Sequence, residues 1–200
     1  EGPTLEQVRA AQLALQNRTF ITPTVPLRSA RIERYLPERS DVFVKLELLQ
    51  QSGSFKSRGA LLSMDSLSPS EREAGVVTAS AGNHALALSW AANMQGVQAT
   101  VVMPETADPA RVRECVDLGA DVVRASGIGA VFKRMLEIQD ERSLTVIHPY
   151  ENPNMTLGAA TCGLEFHEHC TDMDVVVVPI GGGGLIGGIA SITKQLNASK

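Results

Sequence analysis

The sequence predicts an α/β protein in which short parallel strands alternate with helices. From Gly75 onward, short apolar stretches and helical patterns follow one another at close spacing, as parallel strands joined by crossover helices require. Residues 174–179 include four consecutive valines, which is typical of a strand buried on both faces. Hydrophobic residues make up 44% of the 200-residue chain, enough to build such a core. We therefore expect two lobes, each an open parallel sheet with helices on both faces.

The first 74 residues predict an entry helix, one strand and two further helices. Leu5, Val8 and Leu15 recur on one helical face after Thr4, a favourable N-cap. Residues 41–47 alternate with the period of two expected for a half-buried strand. The other predicted elements of this part are a polar loop and two helices, at 50–54, 55–67 and 69–73.

The rest of the chain continues as strand and helix units. The predicted strands lie at 76–78, 99–103, 121–124, 145–148 and 174–179. The predicted helices lie at 85–94, 109–118, 130–140 and 185–196. We assign 75–149 to a small α/β domain, and 1–74 together with 150–200 to a large domain. Because open α/β sheets bind ligands where strands end and helices begin, we expect a site in the cleft between the domains.

Composition excludes the common macromolecular partners. The net charge is −4, and 18 basic residues are spread among 22 acidic ones without a block of like charge, so neither nucleic acid nor an anionic membrane has a binding patch. No stretch approaches the roughly 18 apolar residues of a spanning helix. Three cysteines, Cys115, Cys162 and Cys170, make a poor disulfide framework. We expect a cytoplasmic protein that binds small molecules.

Four consecutive glycines, Gly181, Gly182, Gly183 and Gly184, follow the valine stretch directly. Their backbone N–H groups are not shielded by side chains and, with the start of the next helix, favour an anion. A tight turn is the alternative, but a turn needs only one or two glycines. Because the pattern is neither GxGxxG nor GxxxxGK[ST], we interpret it as a site for a cofactor with a single phosphate.

Lys56 lies among small residues where a helix is predicted to begin, in the stretch GSFKSRGA. A partly desolvated lysine there favours the neutral amine that attacks a cofactor carbonyl. Most lysines are solvated surface residues, and we assign that role to Lys45 and Lys194. For Lys56 the pattern alone leaves both interpretations open.

The segment Ser80, Ala81, Gly82, Asn83 and His84 follows the predicted strand at 76–78. Small residues let a ligand approach the backbone, and N–H groups at a helix start bind a carboxylate. The Asn83 amide can hydrogen-bond a ring oxygen. An Asn or Ser N-cap and a packed, satisfied histidine are the alternatives.

Together, these segments resemble one enzyme family. The shared stretches are Thr22-Pro23, GSFKSRGA at 53–60, SAGNHA at 80–85, LGADVV at 118–123, His148-Pro149 and VPIGGGGLIGGIA at 178–190. They resemble the pyridoxal-phosphate enzymes of the tryptophan-synthase-β fold type, in the branch of threonine/serine dehydratases and serine racemases. Phe55 and His84 favour this branch over the sulfhydrylases, which usually have valine and threonine at these positions.

The resemblance implies a role for each candidate residue. Lys56 would bind pyridoxal 5'-phosphate as a Schiff base and take the α-proton of the substrate. Phe55 would pack beside the pyridine ring, and Asn83 would bond the phenolic oxygen of the cofactor. The phosphate would be bound by Gly181, Gly182, Gly183 and Gly184, and the substrate carboxylate by Ser80, Ala81, Gly82, Asn83 and His84.

Two departures from the family pattern concern activity. Serine racemases of this family carry a serine at the position of Ala81, and a methyl group cannot exchange a proton there. The family's Gly-Gln-Gly-Thr loop is here Gly158, Ala159, Ala160 and Thr161, so a side-chain amide near the substrate is absent. The first departure favours dehydration over racemisation.

The resemblance therefore implies a lyase that dehydrates and deaminates L-threonine or L-serine to a 2-oxo acid and ammonia. Serine racemisation and a truncated, non-catalytic remnant that binds pyridoxal phosphate are the alternatives. Family members continue past the equivalent of Lys200 with further strands, so we expect a truncated large domain. Its apolar surface near 175–178 would be covered in a homo-oligomer or by a missing C-terminal segment. We expect no metal site, since His167 and His169 would point about 200° apart on one helix.

Overall fold

Helices and short strands alternate through most of the computed structural model, which describes residues 2–38 and 40–197. The helices are α1 Leu5–Leu15, α2 Ala30–Glu33, α3 Lys56–Asp65, α4 Pro69–Ala74, α5 Asn83–Gln95, α6 Pro109–Asp117, α7 Ile128–Arg142, α8 Pro153–His169 and α9 Gly184–Asn197. The strands are β1 Thr24–Pro26, β2 Phe43–Lys45, β3 Val76–Ala79, β4 Ala99–Pro104, β5 Asp121–Ala125 and β6 Thr145–Val146. Two 3-10 turns, Glu47–Leu49 and Gln51–Gly53, lead from β2 to α3. None of the described helices is long and apolar enough to cross a membrane.

A four-stranded parallel sheet lies within residues 75–149. Its strand order is β5-β4-β3-β6, with all three pairings parallel. On β4, Val101 packs into an apolar cluster with residues of α5 and α6, whereas its neighbour Val102 packs into a second cluster with residues of α7. The period of two along a strand thus puts helices on both faces, and the predicted α/β class is confirmed.

The second predicted sheet differs from the expectation. β1 and β2 pair antiparallel as a two-stranded ribbon, and residues 174–179, all of them described, form no strand. Val175 and Val177 are 77% and 88% exposed. The prediction of a strand buried on both faces is therefore wrong here, because a strand needs a neighbour to pair its backbone and helices to cover its faces.

Helix α8 lies between α3 and α9 at very close approach. A Cβ added to Gly158 on α8 would lie 2.3 Å from the Gly59 nitrogen on α3. One added to Gly188 on α9 would lie 2.5 Å from the Thr156 oxygen on α8. Only glycine allows backbones to approach so closely. The N-terminal ends of α3 and α9, where Lys56 and the glycine run lie, are therefore held by one shared helix.

Helix α1 packs against α8 and α9. The Thr4 side chain and Gln7 form a capping box at its start, which confirms the predicted N-cap. The Leu5 N–H donates to Gln195 Oε1 over 2.8 Å, and Gln195 Nε2 donates to the Pro3 carbonyl oxygen over 2.9 Å. The apolar residues buried between these helices are Val8, Ala160, Leu164 and Ile192.

Candidate active site

Residues 147–150 are the place where three separately predicted segments meet. They connect β6 to α8, at the carboxyl end of a parallel strand, where ligands bind in open α/β sheets. The contacts are Lys56 Nζ to the Pro149 carbonyl oxygen, His84 Nε2 to the Ile147 carbonyl oxygen, and the Tyr150 ring against Gly182. The candidate lysine, the carboxylate segment and the glycine run therefore surround one short connection.

Lys56 is the first residue of α3, and it is half-buried. Nζ donates to the Pro149 carbonyl oxygen and lies 5.1 Å from the centre of the Phe55 ring. Burial lowers the pKa of the Lys56 amine, because desolvation disfavours the charged form. The lowered pKa increases the share of neutral amine, which is the form that attacks a carbonyl carbon.

His84 is buried, with 2% of its surface exposed. Burial, with smaller effects of the nearby Lys56 and His148, lowers the pKa of His84 to about 4, although the hydrogen bond to Ile147 opposes the shift. Nε2 lies 3.0 Å from the Ile147 carbonyl oxygen, which can only accept, so Nε2 carries the proton and Nδ1 is an acceptor. Nδ1 of the neutral imidazole can therefore accept a hydrogen bond.

Two buried side-chain atoms lack a hydrogen-bond partner within the described ranges, and both lie in the predicted segments. They are Ser54 Oγ, two residues before Lys56, and Nδ1 of His84. Buried polar atoms are nearly always paired, so these two atoms favour a ligand with polar groups at this place. His84 is therefore packed, as the alternative held, but only its Nε2 has a partner, and Ser54 joins the candidate residues. Its only signal in the sequence is its position in GSFKSRGA.

The rest of the carboxylate segment connects β3 to α5. Ser80 and Ala81 are half-buried, whereas Gly82 and Asn83 are exposed. Gly82 is the N-cap of α5 and Asn83 its first residue, so the alternative of an Asn or Ser N-cap is wrong. The segment lies at the positive end of α5, which favours a carboxylate. The ligands assigned to these four residues stay predictions.

The glycine run leads into α9, which begins at Gly184. A Cβ at Gly181 or Gly183 would meet no atom within 4 Å, so open space lies beside the backbone. Gly183 has a φ of +88°, which favours glycine. Exposed N–H groups at the positive end of a helix are the donor set that binds phosphate, and the open space leaves room for it.

A buried ion cluster anchors the same turn of α3 that carries Lys56. Arg58 NH1 lies 2.6 Å from Glu165 Oε1, and Arg58 NH2 lies 2.8 Å from Glu47 Oε1. Lys45 Nζ lies 2.7 Å from Glu165 Oε2, and the Lys45 side chain is 5% exposed. The prediction of a solvated Lys45 is therefore wrong, because a buried carboxylate needs cationic partners. Burial raises the pKa of Glu165, but Arg58 and Lys45 outweigh this effect and lower it.

The two histidines considered as metal ligands bond to different elements. His167 Nε2 lies 2.9 Å from Thr193 Oγ1 on α9, and His169 Nδ1 lies 3.0 Å from Thr24 Oγ1 on β1. In the part of the chain that the structure describes, no three His, Cys, Asp or Glu residues are grouped as metal ligands. Burial raises the pKa of Cys162 to about 12, so its thiol is not a nucleophile near neutral pH.

The model of the pyridoxal-phosphate-dependent enzyme family matches residues 18–199. The chain belongs to this family. The predicted family and its cofactor are thereby confirmed. The identity to L-threonine ammonia-lyase of Thermotoga maritima is 38% over 198 residues, which are 97% of this chain and 48% of the relative.

Two further comparisons concern other members of the pyridoxal-phosphate-dependent family. The chain is 45% identical over 152 residues to phenylserine dehydratase of Ralstonia pickettii, covering 76% of this chain and 47% of the relative. The solved structure of maize serine racemase matches with a TM-score of 0.91 at 32% identity, over 100% of this chain and 60% of that one. The chain thus spans about half the length of the curated relatives it matches.

The residues of this structure fit pyridoxal phosphate. The cofactor carries an aldehyde, a phosphate and polar ring substituents. The Lys56 amine with its lowered pKa suits the aldehyde, and the open glycine run suits the phosphate. The unpaired atoms of Ser54 and His84 suit further polar groups in the site.

Proposed function

We propose that this chain forms the cofactor-binding part of a lyase that dehydrates and deaminates L-threonine or L-serine. The products are a 2-oxo acid and ammonia. The observation that carries the proposal is the meeting of Lys56, His84 and Gly182 at residues 147–150. The related threonine ammonia-lyase and phenylserine dehydratase support this class of reaction.

Each group of the site has a distinct part in this proposal. Pyridoxal phosphate, when bound, supplies the electron sink that makes the substrate's α-proton acidic. Lys56 binds the cofactor and, as the general base, takes the α-proton with its amine. Burial lowers the pKa of the Lys56 amine and so increases the share of the neutral, basic form. The Lys56 ammonium then protonates the departing hydroxyl group, which leaves as water.

The remaining candidate residues bind the cofactor and the substrate and orient them. Gly181, Gly182, Gly183 and Gly184 bind the phosphate, Asn83 bonds the phenolic oxygen, and Phe55 packs beside the pyridine ring. The segment 80–84 binds the substrate carboxylate, chiefly through backbone N–H groups at the start of α5.

Serine racemisation is the second candidate, because the maize serine racemase structure matches with a TM-score of 0.91. Racemisation requires a proton acceptor on one face of the substrate and a donor on the other. Ala81 has only a methyl group, which can do neither. With L-serine supplied to the full-length lyase, we therefore expect pyruvate and negligible D-serine. D-serine formed faster than pyruvate would overturn the choice of dehydration.

Trapping the cofactor tests the lysine assignment. The protein is incubated with pyridoxal phosphate, reduced with borohydride, digested and mapped by mass spectrometry. We expect one modified lysine, Lys56, and no such adduct in Lys56→Ala. Lys194→Ala, at an exposed position of α9, is the matched control and keeps the adduct. An adduct that survives Lys56→Ala shows the assignment to be wrong.

Turnover tests the reaction itself. The full-length lyase, loaded with pyridoxal phosphate, is supplied with L-threonine and L-serine, and release of 2-oxobutanoate, pyruvate and ammonia is followed. We expect equal amounts of 2-oxo acid and ammonia. An adduct at Lys56 without any 2-oxo acid would instead favour the non-catalytic remnant.

A further inference from the structure

Two aromatic residues flank Pro149, whose carbonyl oxygen accepts from Lys56, and a third ring lies beside one of them. His148 and Tyr150 are the sequence neighbours of Pro149, and their rings meet edge to face with centroids 4.6 Å apart. Phe132 on α7 adds a third ring, whose centroid lies 6.1 Å from that of His148. We call Phe132, His148 and Tyr150 the aromatic row.

The aromatic row is only partly covered, and a hydrogen bond orients its central ring. Phe132 and Tyr150 are each 37% exposed, and the His148 side chain is 20% exposed. His148 is oriented because its Nδ1 accepts from the Glu151 N–H over 3.0 Å. Rings that only fill a core are buried, whereas partly open rings in a fixed arrangement offer a preorganised apolar surface.

The position of the aromatic row relates it to the proposed chemistry. At one end, the Tyr150 ring contacts Gly182 in the glycine run. Between Tyr150 and His148, the Pro149 oxygen accepts from the Lys56 amine. At the other end, Phe132 lies near the start of α7, which follows β5 at the carboxyl edge of the sheet. The row therefore extends from the predicted phosphate site, past the amine, to α7.

We infer that the aromatic row binds the β-substituent of the substrate. The site then prefers hydroxyamino acids whose β-carbon carries an aromatic or large apolar group over those that carry hydrogen or methyl. The inference rests on the proposed function and names the substrate class of the same site. A phenyl group can contact several rings at once through edge and face, whereas a methyl group buries far less apolar area.

Binding of unreactive amino acids tests the preference apart from turnover. L-phenylalanine and L-alanine lack the β-hydroxyl group, and both are titrated calorimetrically into the chain loaded with pyridoxal phosphate. We expect phenylalanine to bind at least about tenfold more tightly than alanine. Equal binding, tighter alanine binding, or no binding of either amino acid overturns the inference.

A variant of the row tests which residues carry the preference. Phe132→Ala should lower the phenylalanine-to-alanine affinity ratio by about threefold to tenfold. Phe43→Ala removes a ring that is 44% exposed on β2 and should leave the ratio unchanged. If Phe132→Ala fails to fold, Phe132→Leu takes its place. This variant retains apolar bulk without a ring and should shift the affinity ratio in the same direction. If neither Phe132 variant changes the phenylalanine-to-alanine affinity ratio, the inference is wrong.

Turnover separates this inference from the proposed function. Loaded protein is supplied with L-threo-phenylserine and with L-threonine. If the proposed function is wrong, neither releases a 2-oxo acid, although the affinity ratio still favours phenylalanine. If only the inference is wrong, threonine is deaminated at least as efficiently as phenylserine and the affinity ratio is one or lower.

Discussion

The guanidinium of Arg58 and the carboxylate of Glu165 form a buried pair joined by two parallel hydrogen bonds. NH1 lies 2.6 Å from Oε1, and NH2 lies 2.8 Å from Oε2. The two side chains are 1% and 4% exposed. Such two-point contacts fix orientation as well as distance, so α8 determines where the first turn of α3 lies. That turn begins with Lys56.

Glu165→Gln should destabilise the protein strongly. The substitution leaves Arg58 and Lys45 buried with only Glu47 as a counter-charge, and breaking a buried pair costs about 3 kcal/mol. Urea unfolding measures the change. Glu168→Gln, at an exposed position of the same helix, is the control and should change stability by less than about 0.5 kcal/mol. Similar unfolding midpoints for the two variants would contradict the prediction.

Stability should fall on acidification between pH 6.5 and pH 4.5. The pKa of His84 is lowered from 6.5 to about 4 in the folded state. Between these two values the unfolded chain binds a proton at His84 and the folded chain does not. Stability is complete above the unfolded pKa and decreases by up to about 1.4 kcal/mol per pH unit below it. The pKa values of the Glu165 and Asp65 carboxyl groups are also lowered. These groups reduce stability only below their ordinary pKa values, at a lower pH than this window.

His84→Gln tests the origin of that slope. The variant should lose most of the pH dependence between pH 6.5 and pH 4.5, measured as the free energy of unfolding at several pH values. His169→Gln, at an exposed histidine, should keep it. A slope that persists in His84→Gln would assign the effect to another group.

Gly158→Ala should destabilise the protein and weaken cofactor trapping. Its methyl group would lie 2.3 Å from the Gly59 nitrogen, so α3 and α8 must move apart at a cost of about 1–3 kcal/mol. The shift would displace Lys56, and the yield of borohydride adduct should fall. Gly129→Ala is the control, since a Cβ there meets no atom within 4 Å. It should be neutral or stabilising by up to about 1 kcal/mol.

The chain should self-associate through the 174–180 segment. Val175, Val177 and Ile180 are 77%, 88% and 72% exposed, and each Å² of apolar surface removed from water contributes roughly 25 cal/mol. Sedimentation at micromolar concentration should show oligomers that decrease in Val175→Ser/Val177→Ser. Val116→Ser, at an exposed valine of α6, should not change them. Wild-type protein that sediments as a monomer would refute the prediction.

Local patterns in the sequence predict the elements whose partners lie close by. The strands expected at 76–78, 99–103 and 121–124 match β3, β4 and β5 to within one residue at either end. The stretch 174–179 looks like a strand for the same local reasons but lacks a neighbouring strand, which no local pattern reveals. Helix α8 is not predicted at all, because residues buried on several sides leave no apolar stripe of helical period.

The same distinction applies to the site. Lys56 and the glycine run stand out because small residues in a row are rare outside ligand sites. Lys45 gives no signal, since its partner Glu165 is 120 residues away. The aromatic row is equally hidden, because Phe132 contacts His148 only through the packing of α7. Contacts between distant segments are the part that composition and periodicity leave undetermined.

The hydrogen bond from Leu5 to Gln195 joins residues 190 positions apart, which has a consequence for folding order. The entropy lost on closing a loop grows with its length. Helix α1 can pack against Ala160, Leu164 and Ile192 only after α8 and α9 have formed. During synthesis α1 leaves the ribosome long before them. Val8 then lacks its partners on α8 and α9, while the strands of the sheet, which lie close together in the sequence, already pair. We expect α1 to dock last and, in the native ensemble, to detach first.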